Sequence, residues 1–226
     1  MDPYDLNDVK IVASLNDVKI ALERREIWNY ALEMLDKART QAYHHGDLRD
    51  ALVRTARTIL ETPGLADLSL RGVARAAGVS PAAPYHHFAD KQALLNAVAA
   101  EGFAALTSGM LTRMAKETDP AARLNASGVG YVVFAVENPA LFRLMFGGDG
   151  KRSSADAALI EASKGAYAVL RAAVAETSPD GAADPLTCLK LWALVHGIAK
   201  LILEGGVKPA DYGLASSEAL AARLLY

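Results

Sequence analysis

LSLRGVARAAGVSPAAPYHHFADKQALL, residues 68–95, is the stretch whose reading decides the fold. Leu70, Val73, Ala74 and Ala77 recur at three- and four-residue steps, the spacing of one helix face. Ser69 precedes them as an N-cap candidate, and Gly78 follows where a left-handed residue ends a helix. Ser80 can cap a second, short helix, with Pro81 at its first position, where a missing N–H costs nothing. Asp90 then opens a long helix through Leu94, Leu95, Val98, Phe103 and Leu106 to about Ala115. Helix, glycine turn, short helix is a helix-turn-helix signature.

Upstream, Leu48, Ala51, Leu52, Thr55, Ala56, Ile59 and Leu60 mark an amphipathic helix that Pro63-Gly64 ends. Helices over 47–62, 69–77 and 80–88 make a three-helix unit suited to a DNA groove. A helix that enters the major groove must be slim near its start and carry polar tips. Ala82 and Ala83 let the backbone approach base edges and can touch thymine methyls, while Ser80 and Tyr85 can hydrogen-bond.

Downstream the chain reads as helical and apolar. Asp119-Pro120 opens a helix to about Glu137, and Asn138-Pro139 stops it and starts LFRLMF, residues 141–146. Gly147–Ser154 is a loop, and helices follow at about 154–176, 185–204 and 214–225. No strand pattern survives, so the expected fold is all-α, with nine or ten helices. The 226 residues are 52% hydrophobic, enough for a substantial core, and only 7% aromatic. A net charge of −2 means that any DNA contact must come from a local surface. Cys188, the single cysteine, excludes an internal disulfide and, beside Leu186, Leu189, Leu191 and Trp192, reads as a small core residue. The acidic N-terminus (Asp2, Asp5, Asp8) is unlike a signal peptide, and no apolar run approaches the ~20 residues of a membrane span. A cytoplasmic protein is expected.

Residues 1–40 form an N-terminal extension. LNDVKI occurs at 6–11 and again at 15–20, and a shift of nine residues places the second copy on the opposite helix face, so a small duplication is read rather than a solenoid. Val18, Leu22, Ile27, Ala31, Met34, Leu35 and Ala38 have rough helical spacing. Two readings stay open here: an extra helix, or upstream sequence from a misplaced start with Met34 as the true one.

The 68–95 stretch resembles the DNA-binding domain of the tetracycline-repressor (TetR/AcrR) family of bacterial regulators. The resemblance covers roughly 44–106, with the helix-turn-helix motif at about 68–87, and YHHGDLRDAL (43–52) is similar to the lead-in to that domain's first helix. It implies that Arg71 reaches a base or phosphate, and that Ser80, Ala82, Ala83 and Tyr85 form the groove-facing surface. It implies phosphate contacts for His86 and Lys91 and for the lead-in pair His44 and His45, with His87 and Phe88 packed inward. Pro84 departs from the commonest pattern, since it removes an intrahelical bond and disfavours helical geometry at Ala83. ENPALFRLMFG (137–147) and LWALVHGIAKLILEG (191–205) resemble a ligand-binding subclass named for a Trp-His-Gly element, here Trp192, His196 and Gly197.

These readings imply a dimeric, effector-responsive repressor of a palindromic operator, with residues 107–226 as ligand-binding and dimer domain and the last two helices as the interface. Phe103, Met110, Met114, Tyr131, Phe134, Met145, Trp192 and His196 are the candidate ligand contacts, suited to a largely apolar small molecule. The rival class is a small-molecule binding protein that has lost DNA binding. No metal site or cofactor is expected: His86 and His87 are adjacent, so they point about 100° apart on a helix, and Asp90 is better read as a cap. His196 has no acid or nucleophile close by in the sequence, and no GxSxG, HExxH, P-loop or GxGxxG in strand context occurs, so no enzyme is expected. Gly128 and Gly130 within a helix read as a bend or a close-packing site.

Overall fold

The computed structural model describes residues 47–62, 68–147 and 156–226. The N-terminal extension, His44, His45 and the Pro63-Gly64 stop lie outside them. Eight α-helices occupy the described residues, with no strand among them. They are α1 (Asp47–Glu61), α2 (Leu70–Ala76), α3 (Lys91–Met114), α4 (Pro120–Glu137), α5 (Pro139–Phe146), α6 (Ala157–Thr177), α7 (Pro185–Leu203) and α8 (Ser217–Leu225). Short 3-10 turns lie at Ala83–His86 and Pro209–Tyr212.

Helix starts follow cap chemistry closely. The side chains of Ser69, Asp90, Asp119, Asp156, Asp184 and Ser216 each accept from a backbone N–H three residues on, filling donors that the first turn leaves orphaned. Pro120, Pro139 and Pro185 begin α4, α5 and α7, where a proline loses no hydrogen bond.

α3 is the axis. At 24 residues it spans about 36 Å, packing on α1 at one end and on α4, α5 and α6 along the rest. Leu94, Val98, Phe103, Leu106, Met110 and Met114 form its buried stripe, meeting Leu52, Val53 and Ala56 of α1 and Leu141, Phe142 and Met145 of α5. Two glycines permit close crossings. A Cβ on Gly102 would sit 2.6 Å from Met145 Sδ, and one on Gly130 would sit 3.1 Å from Met110 Cα, so Gly130 serves close packing between α3 and α4. α8 lies across α4, where the Tyr226 hydroxyl donates to Ala122 O at 3.3 Å, and is tied to the end of α3 by Arg113–Glu218 at 2.6 Å.

One expectation is corrected here. α3 and α7 are long and apolar enough to cross a membrane by length and composition, with mean hydropathy of 1.3 and 1.6. Lys190, His196 and Lys200 interrupt the apolar run of α7 to the eye without lowering its mean below that of a span. More than half of α3's apolar window is buried inside the protein, so α3 is a core helix. α7 is different: only 22% of its window is buried, and Leu186, Leu189, Leu194 and Leu201 face outward.

Candidate nucleic-acid interface and regulatory cavity

α2 ends in a Schellman motif. Gly78 takes φ +71°, its N–H donates to Arg75 O at 3.2 Å, and the Val79 N–H donates to Ala74 O at 3.0 Å. The chain then turns into the segment expected to be a short α-helix over 80–88. It is instead a 3-10 turn at Ala83–His86. Pro84 explains the difference, because it has no N–H to give Ser80 O, and the Ala83 N–H takes that place at 3.0 Å. The Tyr85 N–H likewise donates to Ala82 O at 3.1 Å, three residues back. The expected Ser80 cap is therefore replaced by its carbonyl.

Pro84 and Phe88 are buried, anchoring the turn on the three-helix core. Arg49 of α1 lies over the Phe88 ring at 5.4 Å, a cation–π contact that ties the turn to the first helix. The same anchoring turns outward Arg71, Ser80, Ala82, Tyr85, His86 and Lys91, with Ala83 half-buried. Tyr85 is 51% exposed, its ring standing off the anchored turn. His87, expected to pack inward, is exposed, because Pro84 and Phe88 fill the inward positions. Arg75 went unnoticed in the sequence. It lies four residues after Arg71, on the same face of α2, and is exposed.

A cavity of about 420 Å³ opens in the C-terminal helices, between α3, α4, α6 and α7, with Leu225 of α8 and Phe146 of α5 in its wall. Of the residues expected at a ligand, Phe103, Met110, Tyr131 and Trp192 line it. Met114, Phe134 and Met145 do not; they are core. His196 stands behind the wall, its Nδ1 2.8 Å from the Tyr131 hydroxyl, within an aromatic group of Tyr131, Phe142, Phe146 and Trp192. Burial lowers the His196 imidazole below its ordinary value, helped by the charge of Lys200. Burial raises the Tyr131 phenol well above its own, opposed by the smaller effect of a nearby Trp192 indole. Asn125, Ser127, Ser163, Lys164 and Tyr167 also line the cavity. Nothing in their spacing marked them, since they come from two helices that meet only in the fold. Gly128 admits Leu225, whose Cδ1 would lie 2.8 Å from an added Cβ.

α5 joins the two regions. The Ala140 and Leu141 N–H groups at its start donate to the Glu61 carboxylate of α1 at 3.2 and 2.7 Å. Arg57 of α1 donates to Asn138 Oδ1 at 2.8 Å, and the other end of α5 presents Phe146 to the cavity. Among the described residues, no group of three or more His, Cys, Asp or Glu could hold a metal ion.

A helix-turn-helix unit on an all-helical domain with an apolar cavity defines a DNA-binding transcription regulator of one-chain, two-domain build. The chain belongs to the TetR family: residues 52–98 match "Bacterial regulatory proteins, tetR family", and residues 124–225 match "Tetracyclin repressor-like, C-terminal domain". The second match does not name the Trp-His-Gly element. Among solved structures, a protein of unknown function from Rhodococcus sp. RHA1 is 34% identical, covers 82% of this chain and 95% of its own, and has a TM-score of 0.66. A TetR family transcription regulator from Marinobacter aquaeolei VT8 shares the fold at 20% identity, covering 78% of this chain and 92% of its own, with a TM-score of 0.57. The TetR family transcriptional regulator PfmR from Thermus thermophilus does so at 20% identity, covering 78% and 91%, with a TM-score of 0.56. No curated protein matches the sequence.

Proposed function

We propose that this regulator is a cytoplasmic, homodimeric repressor that binds a palindromic operator and releases it when a largely apolar effector fills the cavity. The exposed turn above a buried Pro84–Phe88 anchor carries this reading, because it offers Tyr85 to a groove at no cost to the core. Ser80, Ala82, Ala83 and Tyr85 read base edges in the proposal, Arg71 reaches a base or phosphate, and His86 and Lys91 hold phosphates. The domains divide at about residue 106, within α3. The outward apolar face of α7, with Leu186 74% and Leu189 53% exposed, is the surface a second copy covers, together with α8. Two-fold pairing then sets the half-site spacing. Effector pressure on Phe146 reaches α1 through α5 and Glu61, changing the distance between the two recognition turns.

The test is a mobility-shift assay on the DNA upstream of the protein's own gene. Tyr85→Ala is expected to lose specific binding by at least ten- to a hundredfold, at ~1–3 kcal/mol per base contact, while sedimentation still reports the dimer. Undiminished operator affinity would sink the turn's role. A wild-type protein that binds no upstream DNA but does bind small molecules would favour the rival reading.

A further inference from the structure

Taking the turn as the groove-facing element proposed above, its exposed chemistry limits which feature of a base it can identify. Pro84 forces three-residue bonding, so the Ala83 N–H is spent on Ser80 O at 3.0 Å, and Ala83 is half-buried. Pro81 and Ala82 are left as the exposed leading edge. That edge is apolar, a pyrrolidine ring beside a methyl group, and proline removes the backbone donor at both 81 and 84.

Each base pair shows the major groove a distinct set of groups. Arg or Lys pairs with two acceptors of guanine, Asn or Gln with an acceptor and a donor of adenine, and Asp or Glu accepts from cytosine. Residues 78–88 contain none of these side chains. Asp90, just beyond, is occupied as a cap, its Oδ1 accepting from the Ala93 N–H at 2.8 Å. Arg71 and Arg75 stand on α2, the first helix of the motif, which would cross the phosphate backbone while the turn enters the groove. The polar groups left on the turn are the Ser80 and Tyr85 hydroxyls and the rings of His86 and His87. A hydroxyl both donates and accepts, and a neutral imidazole has one nitrogen for each role, so any one of them fits more than one base.

One base-specific feature suits an apolar edge: the methyl group on C5 of a pyrimidine, which thymine carries and cytosine lacks. Contact with it removes apolar surface from water on both sides and asks for no hydrogen bond. We propose that Pro81 and Ala82 read the C5 methyl of a pyrimidine in each operator half-site, so that base identity under this edge rests on a methyl contact rather than on paired hydrogen bonds. Thymine supplies that methyl in unmodified DNA, and 5-methylcytosine supplies it in methylated DNA.

The test starts from duplexes that the full chain enriches from an unmethylated random-sequence pool. The consensus is remade with uracil for thymine at one position at a time, in both half-sites. Uracil keeps the pairing and the O4 acceptor and removes only the methyl. At one or two thymines per half-site, binding is expected to weaken about fourfold for each methyl lost, the factor that ~0.8 kcal/mol represents, and so roughly fifteenfold for the symmetric pair. Replacing the sensitive pair by 5-methylcytosine·guanine and by cytosine·guanine isolates the methyl on a second pyrimidine, and the methylated duplex is expected to bind several-fold tighter. Ala82→Gly is expected to bring the thymine-over-uracil ratio toward one at a sensitive position. A merely loosened turn would weaken both duplexes alike and leave the ratio as it was. If that variant binds too weakly to measure, the wild-type ratios decide. A consensus without thymine in its half-sites, no gain from the C5 methyl on either pyrimidine, or a ratio undiminished at every sensitive position in a DNA-binding Ala82→Gly overturns the inference. Each of these results leaves the regulator standing, because a consensus was enriched. Enrichment of no sequence removes the sequence-specific operator reading on which the inference rests, and the inference with it.

Discussion

The recognition turn and the cavity are built by opposite means. The turn is eleven consecutive residues, Gly78 to Phe88, whose shape follows from local chemistry: a glycine with positive φ, a serine carbonyl, and a proline that cannot donate. The cavity draws side chains from six helices, and no two adjacent helices would make it alone. A local element can change its exposed tips without disturbing the fold, because the groups that hold it (Pro84, Phe88) differ from those it displays (Tyr85, His86). A distributed element has no such separation. Its wall is also the core, so selection for a ligand and selection for stability act on the same residues.

That contrast predicts an order of effects. The largest belongs to Phe142→Ala. Phe142 is 1% exposed and its ring meets those of Tyr131, Phe146 and His196 at 4.8–5.7 Å. Truncation should cost about 3–5 kcal/mol in urea unfolding, the range for a buried phenylalanine. A loss below about 1 kcal/mol would mean the core that backs the cavity wall through Tyr131 and Phe146 is loosely packed. Tyr85→Ala, by comparison, should leave the unfolding midpoint in place while removing specific DNA binding. Lys91→Ala should be smaller still: weaker binding to every sequence, with the slope of log affinity against log salt shallower by about one. Lys91 is the first residue of α3 and exposed, while Asp90 does the capping, so the helix itself should be unaffected. An unchanged salt slope would remove Lys91 from the phosphate contacts.

The same contrast explains what was legible in the sequence. Caps, turns and helix faces are local, so Ser69, Gly78, Asp90, Asp119 and Pro139 could be assigned from neighbours alone. The short helix at 80–88 was misread because Ser80-Pro81 looks like a helix start, whereas the missing N–H of Pro84 forces three-residue bonding one turn later. The inward position that the resemblance implied for His87 fails for the same reason, since in the turn Pro84 and Phe88 take the inward positions. Half of the expected ligand residues line the cavity and half do not. Size and apolarity identify core, and only tertiary packing decides which core residues border empty space. Ser127 and Ser163 were invisible for the same reason, as was the grip of Glu61 on α5 across 79 and 80 residues of chain.

The smallest expected effect concerns pH, and it again separates the two regions. His86 and His87 of the turn are exposed, whereas His196 is held below its ordinary value by burial and by Lys200. Where a base has a lowered folded pKa, the unfolded chain binds the proton first. Stability therefore falls as pH drops below the ordinary value of 6.5, and this contribution stops growing once pH passes the lowered folded value. Urea midpoints at about pH 7.5 and about pH 5.5 measure the slope. His196→Gln should flatten it, because the variant has no proton to take up at that position. Equal slopes in wild type and His196→Gln would show that the imidazole behind Tyr131 is open to solvent. The reading of this part of the cavity wall as dry, apolar core would lose its main physical support, while the recognition turn would stand untouched.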